Sequence, residues 1–418
     1  MDGPGRKRTH RGRERAPQMS IGARTRAPRP RRPLGAEARR LGENGIRSVS
    51  QVDTAWIAVE HRPAATYNGG RLRDTRGRIP GLDGLRAISI VIVLFAHANG
   101  TRGAPKIGHL EVFADLGVRT FFVISGFLIT TLLVGEYGKR GRISLRDFYI
   151  RRVYRIFPAF YVYLAVMLGV AALGWIALPA EDVVFAATYT MNVHAHRAWW
   201  LGHLWSLAVE EQFYLLWPLV VSLLRPRRAL WFAIAAIAIA PVLRVVAWIA
   251  WPAVRPLTDQ AFPFVFDALA TGCVLALARE HLEGSATYLM WLDAPSFWLI
   301  PLAGVVALAV PFTAFNLGIG VTLGNLGIAM AIHRCVRHPS YPLGRVLESR
   351  PFVFVGALSY SLYLWQQPFV NRHASGIINT FPVHLALAFG LAIVSYYLVE
   401  QPVLALRARR AARKRAPV

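Results

Sequence analysis

Residues 81–100 read GLDGLRAISIVIVLFAHANG and combine a long apolar run with two ionisable side chains, Arg86 and His97. An α-helix of about 20 predominantly apolar residues is long enough to cross a bilayer. Ionisable groups inside such a run are costly and usually functional. The stretch therefore predicts a membrane-spanning helix that contributes to a functional site.

The rest of the chain repeats this apolar pattern. Of its 418 residues, 54% are hydrophobic and 17% are charged, whereas an ordinary soluble domain carries about 25% charged residues. These features predict an all-α integral membrane protein with about ten transmembrane helices. The predicted spans lie near 86–103, 116–136, 156–178, 204–224, 229–250, 261–278, 286–310, 315–333, 351–371 and 381–402.

Basic residues recur in every second connection between the predicted spans. They crowd residues 139–155, 225–228 and 334–350 and the C-terminal stretch, while the intervening loops hold few. This alternation follows the positive-inside rule and predicts that both termini are cytoplasmic in a multi-pass protein of the inner (plasma) membrane. It also accounts for the net charge of +25 without nucleic acid as a partner.

Composition divides the chain into three regions. Residues 1–75 are rich in Arg, Pro and Gly, which predicts a disordered basic tail; a lipid-binding arm and a misplaced start codon remain alternatives. Residues 76–405 form the predicted membrane domain, and 406–418 a basic cytoplasmic tail. The two cysteines, Cys273 and Cys335, suggest neither a disulfide nor a metal site.

Arg86 and His97 are eleven positions apart, which is about three helical turns and about 16 Å along one helix face. A guanidinium at the membrane surface suits a phosphate, and a deeper imidazole suits proton transfer to or from a hydroxyl. A long donor with phosphates at one end and a thioester at the other would fit this spacing. The alternative is a topological arginine and a histidine bonded to a neighbouring helix.

The fourth predicted span begins HLWSLAVEEQFYLLWP, residues 203–218. In a helix, one polar stripe would contain His203, Ser206, Glu210 and Tyr214, with Glu211 to the side. Two carboxylates and a histidine at a membrane boundary favour a functional role. A Ser-His-Glu nucleophile system is conceivable, but structural hydrogen bonding is the favoured role for Ser206.

Two further segments supply candidate binding residues. In GVRTFFVISGFLIT, residues 117–130, Ser125 is small enough for a neighbouring helix or a ligand to approach closely. Arg119 would pair with a carboxylate or meet an acceptor. In DFYIRRVYRIFPAF, residues 147–160, Arg152 and Arg155 share a cytosolic face, as orientation anchors or as a phosphate-binding patch.

Together these segments resemble acyltransferase family 3 of integral membrane proteins, over about residues 78–405. The resemblance rests on the order of several motifs: the Arg86 and His97 pair, FFVISGF, RRVYRIFP, HLWSLAVEEQFYLLWP, SYSLYLW and SYYLVEQP. Two departures stand out. Gln366 and Gln367 follow LYLW where the family commonly has His, and Phe264 to Phe266 precede Asp267 where an Arg is common.

The resemblance implies an enzyme that transfers an acyl group, with acetyl expected, from acyl-CoA to a hydroxyl of a carbohydrate or macrolide-type acceptor. It implies that His97 is the catalytic base, that Arg86 is required, and that Arg152 and Arg155 contact the CoA phosphates. Acyl-CoA, the acceptor and the bilayer are then the expected partners, without a further cofactor or metal. The alternatives are a transporter of lipid-linked sugar and an assembly scaffold without chemistry.

The acidic pair in the fourth span completes this hypothesis. Glu210 or Glu211 is expected to orient His97 or to stabilise its charged form, as carboxylates do in catalytic triads. His203, at the start of the same stripe, is expected to contact substrate.

Overall fold

The computed structural model describes residues 78–108, 111–374 and 376–413. The predicted disordered tail, 1–75, lies outside these residues, as do 414–418. The longer helices are α1 (Leu82–Ala98), α2 (Glu111–Arg140), α3 (Leu145–Ala172), α4 (Ala180–Ala187), α5 (Leu204–Ala250), α6 (Phe262–Glu283), α7 (Ala286–Asp293), α8 (Leu299–Ala309), α9 (Val321–Arg337), α10 (Arg350–Trp365), α11 (Val383–Ser395) and α12 (Gln401–Arg413).

Shorter elements connect these helices. Three are short α-helical turns, at Trp199–Gly202, Thr313–Phe315 and Pro342–Leu347. Four are 3₁₀ turns, at Met191–Val193, Pro252–Leu257, Pro295–Trp298 and Ile377–Asn379. Two are π-helical turns, at Asn316–Gly320 and Tyr396–Glu400.

Within the described residues, six helical stretches are long and apolar enough to cross a membrane, which identifies an all-α membrane protein. They are Phe113–Arg140, Leu145–Ala172, Trp199–Ala250, Pro252–Glu283, Thr313–Arg337 and Val383–Arg410. Helix α7 and the stretch Pro295–Ala309, bent by 77°, bring the number to at most seven.

This number is below the predicted ten for two physical reasons. Helices α1 and α10 have 17 and 16 residues, fewer than the roughly 20 that span a bilayer without tilt or thinning. The 52-residue stretch Trp199–Ala250 covers two predicted spans.

That long stretch breaks at Arg225, where φ is 61° and ψ is 160°. The next residue is Pro226, which lacks an N–H group and disfavours helical ψ in the residue before it. A positive φ is also unusual for a residue with a side chain. The break falls between the predicted spans 204–224 and 229–250.

Glycines allow the helices around the site to approach closely. A Cβ atom at Gly126 of α2 would overlap the carbonyl oxygen of Leu269 in α6, and one at Gly272 would overlap that of Val123. Likewise, a Cβ at Gly356 of α10 would overlap the Asp83 carbonyl oxygen in α1. Two helix pairs, α2 with α6 and α1 with α10, therefore meet backbone to backbone.

Candidate active site

A cavity of about 380 Å³ lies between helices α1, α2, α3, α5, α10 and α12. Ligand sites for small molecules commonly have volumes of this order, about 300–1,000 Å³. Apolar side chains from α2 and α3 form much of the wall. The polar and charged lining residues are Arg86, Ser125, Arg151, Arg152, Arg155, Ser206, Glu210, Glu211, Tyr214, Ser359, Tyr360, Tyr363 and Arg407.

Arginines dominate one part of this wall. The predicted binding residues Arg86, Arg152 and Arg155 all line the cavity. Two further arginines, Arg151 and Arg407, also line it, although the sequence analysis had assigned them only to basic connections. Guanidinium groups donate paired hydrogen bonds in a geometry that matches phosphate oxygens, so this wall is suited to a polyanionic ligand.

Neighbouring side chains hold two of these arginines in place. The Arg152 guanidinium lies over the Tyr214 ring, 4.8 Å from its centroid, and 5.6 Å from that of Phe148. An Arg155 nitrogen lies 3.8 Å from a carboxylate oxygen of Glu400, which is itself buried in the π-helical turn. Among the described residues, Arg152 has no carboxylate at ion-pair distance, so its charge remains available to a ligand.

Carboxylate and hydroxyl groups form another part of the wall, next to Arg152. Ser125 donates a hydrogen bond of 2.6 Å to Oε1 of Glu210, and the Tyr214 hydroxyl donates one of 3.1 Å to Ser125 Oγ. The charges of Arg86 and Arg152 act on Glu210. This cluster links α2 to α5. Ser125 therefore makes a hydrogen bond to a neighbouring helix, in addition to being small enough for close approach.

Beyond these groups the polar stripe of α5 continues to its first residues. Ser206 Oγ lies 2.6 Å from the Tyr363 hydroxyl, which donates a 2.9 Å hydrogen bond to the His203 carbonyl oxygen. The expected structural role for Ser206 agrees with this bond. The His203 side chain is 4% exposed, and its ring packs beside those of Tyr163 and Tyr363. His203 is therefore a buried polar side chain packed among aromatic rings.

His97 lies at the opposite end of α1 from Arg86 and is not a lining residue of the cavity. Its Nδ1 atom lies 3.0 Å from Oε1 of Gln366. The expected partner, Glu210 or Glu211, makes no hydrogen bond to His97 in the described part of the chain. The reason is distance along the stripe: both glutamates face the cavity, two turns beyond the helix start that adjoins His97.

Arg119 lies outside the cavity, in the buried charge network of α2, α5, α6 and α9. Its Nε atom is 2.5 Å from a carboxylate oxygen of Asp115, which is the first of the two predicted roles. Nearby, the Arg244 guanidinium contacts Asp267 at 3.0 Å and Thr322 at 2.9 Å. The sequence did not indicate a role for Arg244. This residue of α5 is the cationic partner of Asp267, which has no arginine in the residues directly before it.

Three side chains outside the cavity could hold a metal ion, although no metal was expected. These are Glu181, Asp182 and His194. However, the Asp182 carboxylate already accepts a 2.6 Å hydrogen bond from the Ala198 N–H group and lies 2.7 Å from His194 Nε2. These bonds give Asp182 a structural role, because they tie helix α4 to the segment that follows it.

The structure thus assembles six of the nine predicted site residues in one cavity. These six are Arg86, Ser125, Arg152, Arg155, Glu210 and Glu211. The other three, His97, Arg119 and His203, lie outside it: His97 is half-buried, and Arg119 and His203 are buried. Sequence analysis identified Gln366 only as a departure from the family pattern, since nothing in its local pattern indicates contact with α1.

Two known proteins are similar to this chain in sequence over most of its length. The O-acetyltransferase OatA of Staphylococcus aureus strain NCTC 8325 is 30% identical over 374 aligned residues, which cover 78% of this chain and 57% of OatA. A Bacillus subtilis protein, YrhL, provisionally named a peptidoglycan O-acetyltransferase, is 29% identical over 377 residues, covering 78% and 55%. The chain therefore spans somewhat more than half the length of these relatives.

No solved structure matches the chain. The sequence model of family 3, described as an acyltransferase domain, matches residues 79–400. This match confirms the resemblance that the motifs indicated and the predicted class of enzyme. The chain belongs to acyltransferase family 3.

Proposed function

We propose that this protein is an O-acyltransferase of the inner (plasma) membrane that transfers an acetyl group from acyl-CoA to a hydroxyl group of a carbohydrate. One observation carries the proposal: an arginine-rich wall and a carboxylate–hydroxyl cluster share one cavity beside the helix that also contains His97. A donor with phosphates at one end and a reactive thioester at the other would match this arrangement, with its phosphates at the arginines and its thioester near His97.

The topology we propose has about ten spans with both termini in the cytosol. Short helices such as α1 and α10 then cross a locally thinned membrane or pack within the bundle. With this orientation, Arg152, Arg155 and Arg407 lie at the cytosolic end of the cavity, where acyl-CoA is available. The basic connections on alternate sides support it.

In the proposed mechanism, the CoA phosphates bind Arg86, Arg152 and Arg155, and the arm of the donor that joins the phosphates to the thioester extends along α1. Arg86 and His97 are eleven residues apart on this continuous helix, a distance of about 16 Å. His97 accepts the proton of the acceptor hydroxyl, whose oxygen attacks the thioester carbonyl carbon. The C–S bond then breaks, the ester forms, and CoA leaves as a thiolate that takes up the proton from His97, which returns the imidazole to its neutral form.

The names of the relatives support a carbohydrate as the acceptor. OatA is named an O-acetyltransferase and YrhL a peptidoglycan O-acetyltransferase. Two acidic side chains and several hydroxyls in the cavity offer hydrogen bonds to a sugar. A glycan of the cell envelope is therefore our proposed acceptor class.

The test is direct transfer of label by the purified full chain in proteoliposomes. Acetyl-CoA labelled in its acetyl group is supplied on the Arg-rich side with peptidoglycan fragments, and the glycans are analysed by mass spectrometry. Acetylated glycan, at a mass increase of one acetyl group, is the expected product. Movement of unmodified glycan across the membrane, without any acetylation, would instead favour a transporter.

A further inference from the structure

The glutamine that follows α10 makes an unusual contact with the first helix. Gln366 is 0% exposed, and its Oε1 atom lies 3.0 Å from Nδ1 of His97. Its backbone N–H group bonds to the Leu362 carbonyl oxygen, so the end of the helix fixes the amide close to the imidazole. No other hydrogen bond to the His97 side chain occurs in the described ranges.

The chemistry of an amide oxygen decides the proton position. A carbonyl oxygen accepts hydrogen bonds and never donates them, so with Oε1 of Gln366 facing the ring, Nδ1 of His97 is the nitrogen that carries the proton. In a neutral imidazole the other nitrogen, Nε2, then holds a free electron pair. That nitrogen is the one able to take a proton from a hydroxyl.

We propose that Gln366 is the positioning residue of this enzyme: it fixes His97 in the Nδ1–H tautomer and presents Nε2 as the base. The inference rests on the proposed function, in which His97 is the base. It assigns to a neutral amide the orienting role that the sequence analysis had expected of Glu210 or Glu211. Those carboxylates are bonded elsewhere or face the cavity.

The surroundings of His97 favour a neutral partner over a charged one. Arg372 acts on His97 electrostatically, and His97 in turn acts on His203; among the described residues, no carboxylate makes a hydrogen bond to the His97 ring. A glutamine orients the ring without stabilising the imidazolium through a full negative charge.

A direct test reads the tautomer. Full-length protein labelled with ¹⁵N-histidine is examined in lipid by solid-state NMR, and the His97 signals are assigned by their loss in His97→Gln. We expect Nδ1 at the shift of a protonated nitrogen and Nε2 at that of an unprotonated one in the neutral ring. The reverse assignment, with Nε2 protonated, would overturn the inference.

A kinetic test uses Gln366→Met, which keeps the shape but removes the acceptor oxygen. Loss of an orienting partner typically lowers activity about 10- to 100-fold, and we expect this loss in kcat with the KM for acyl-CoA unchanged. The matched control is Gln367→Met, because Gln367 is also buried but donates to the Trp199 carbonyl oxygen instead. That control should keep kcat within about threefold, well below the orienting effect.

Gln366→Glu provides a second variant that keeps an acceptor oxygen. Its carboxylate should stabilise the imidazolium, so activity persists but the acidic limb of the kcat–pH profile moves to higher pH. Wild-type kcat and pH profile in both Gln366 variants, together with an inactive His97→Gln, would sink the inference and leave the proposed function intact. Full activity of His97→Gln would instead refute the proposed function.

Discussion

The Ser125 hydroxyl donates a 2.6 Å hydrogen bond to Oε1 of Glu210, and so joins helices α2 and α5 across the wall of the cavity. The two residues are 85 positions apart. Glu210 is half-buried at the cavity wall, where an unpaired carboxylate would be costly. The serine therefore stabilises both the helix pair and the charge that faces the ligand.

Replacement of this serine should weaken the fold measurably. A hydrogen bond to a charged group contributes about 1.5–3 kcal/mol, and we expect Ser125→Ala to lose stability in that range when thermal unfolding is followed in detergent. Thr131→Val is the matched control, because the Thr131 hydroxyl in the same helix has no partner among the described residues. Equal unfolding temperatures for the two variants would contradict the role of this bond.

Donor binding should depend on Arg152. Removal of one charge-assisted contact to phosphate, worth about 1.5–3 kcal/mol, corresponds to a rise in KM of about 10- to 100-fold for acyl-CoA in Arg152→Gln. With a truncated thioester that lacks the nucleotide phosphates, wild type and variant should be equal.

The control for Arg152 removes the same charge elsewhere. Arg140 is 59% exposed at the end of α2 and is absent from the cavity wall, so Arg140→Gln should leave the KM for acyl-CoA within about twofold, the scale of a screened surface charge. A similar rise in KM for both variants would attribute the effect to general surface charge.

The sequence could predict this arginine wall because charge near a membrane surface is itself informative. Arg152 and Arg155 lie one turn apart in a basic connection, and the apolar runs around them define where the membrane ends. Arg407 could not be assigned in this way. Arg407 belongs to helix α12, which places it at the cavity. In the sequence, a run of C-terminal basic residues gives no sign of that contact.

Contacts between segments that are far apart in the chain could not be predicted from the sequence either. Gln366 and His97 are 269 positions apart, and a local pattern cannot reveal which helix ends meet. Arg244 and Asp267 are close in sequence, yet they belong to different helices. Hydropathy predicts spans because the bilayer imposes a length, whereas pairing of spans depends on side-chain packing that single segments do not encode.

Backbone contact between α2 and α6 predicts a steric penalty. A methyl group at position 126 would overlap the Leu269 carbonyl oxygen, and overpacking of this kind costs about 1–3 kcal/mol. Gly126→Ala should therefore unfold at lower temperature. In the same helix, a Cβ at Gly135 has open space around it, and Gly135→Ala should be neutral or stabilising, because alanine favours helices by about 1 kcal/mol. Stabilisation by both substitutions would refute the close packing.

The buried ion pair between α5 and α6 should be essential to stability. Arg244 donates to Asp267 and to the carbonyl oxygens of Leu317 and Phe264. Removal of one partner from a buried pair costs about 3–5 kcal/mol, because the other charge stays buried and unpaired. Arg244→Met should show this loss in thermal unfolding, and Arg244→Met combined with Asp267→Leu should recover part of it. An additive double variant would contradict the pairing.

CoA thiol release by the purified full chain in proteoliposomes measures most directly whether His97 takes the proton in acyl transfer. With acetyl-CoA and a glycan acceptor present, His97→Gln should lower the acceptor-dependent release rate by about 10²- to 10⁴-fold, the range of general base catalysis. His281→Gln, at an exposed helix end, should release thiol at the wild-type rate. Acceptor-dependent release by His97→Gln as fast as wild type would contradict the account.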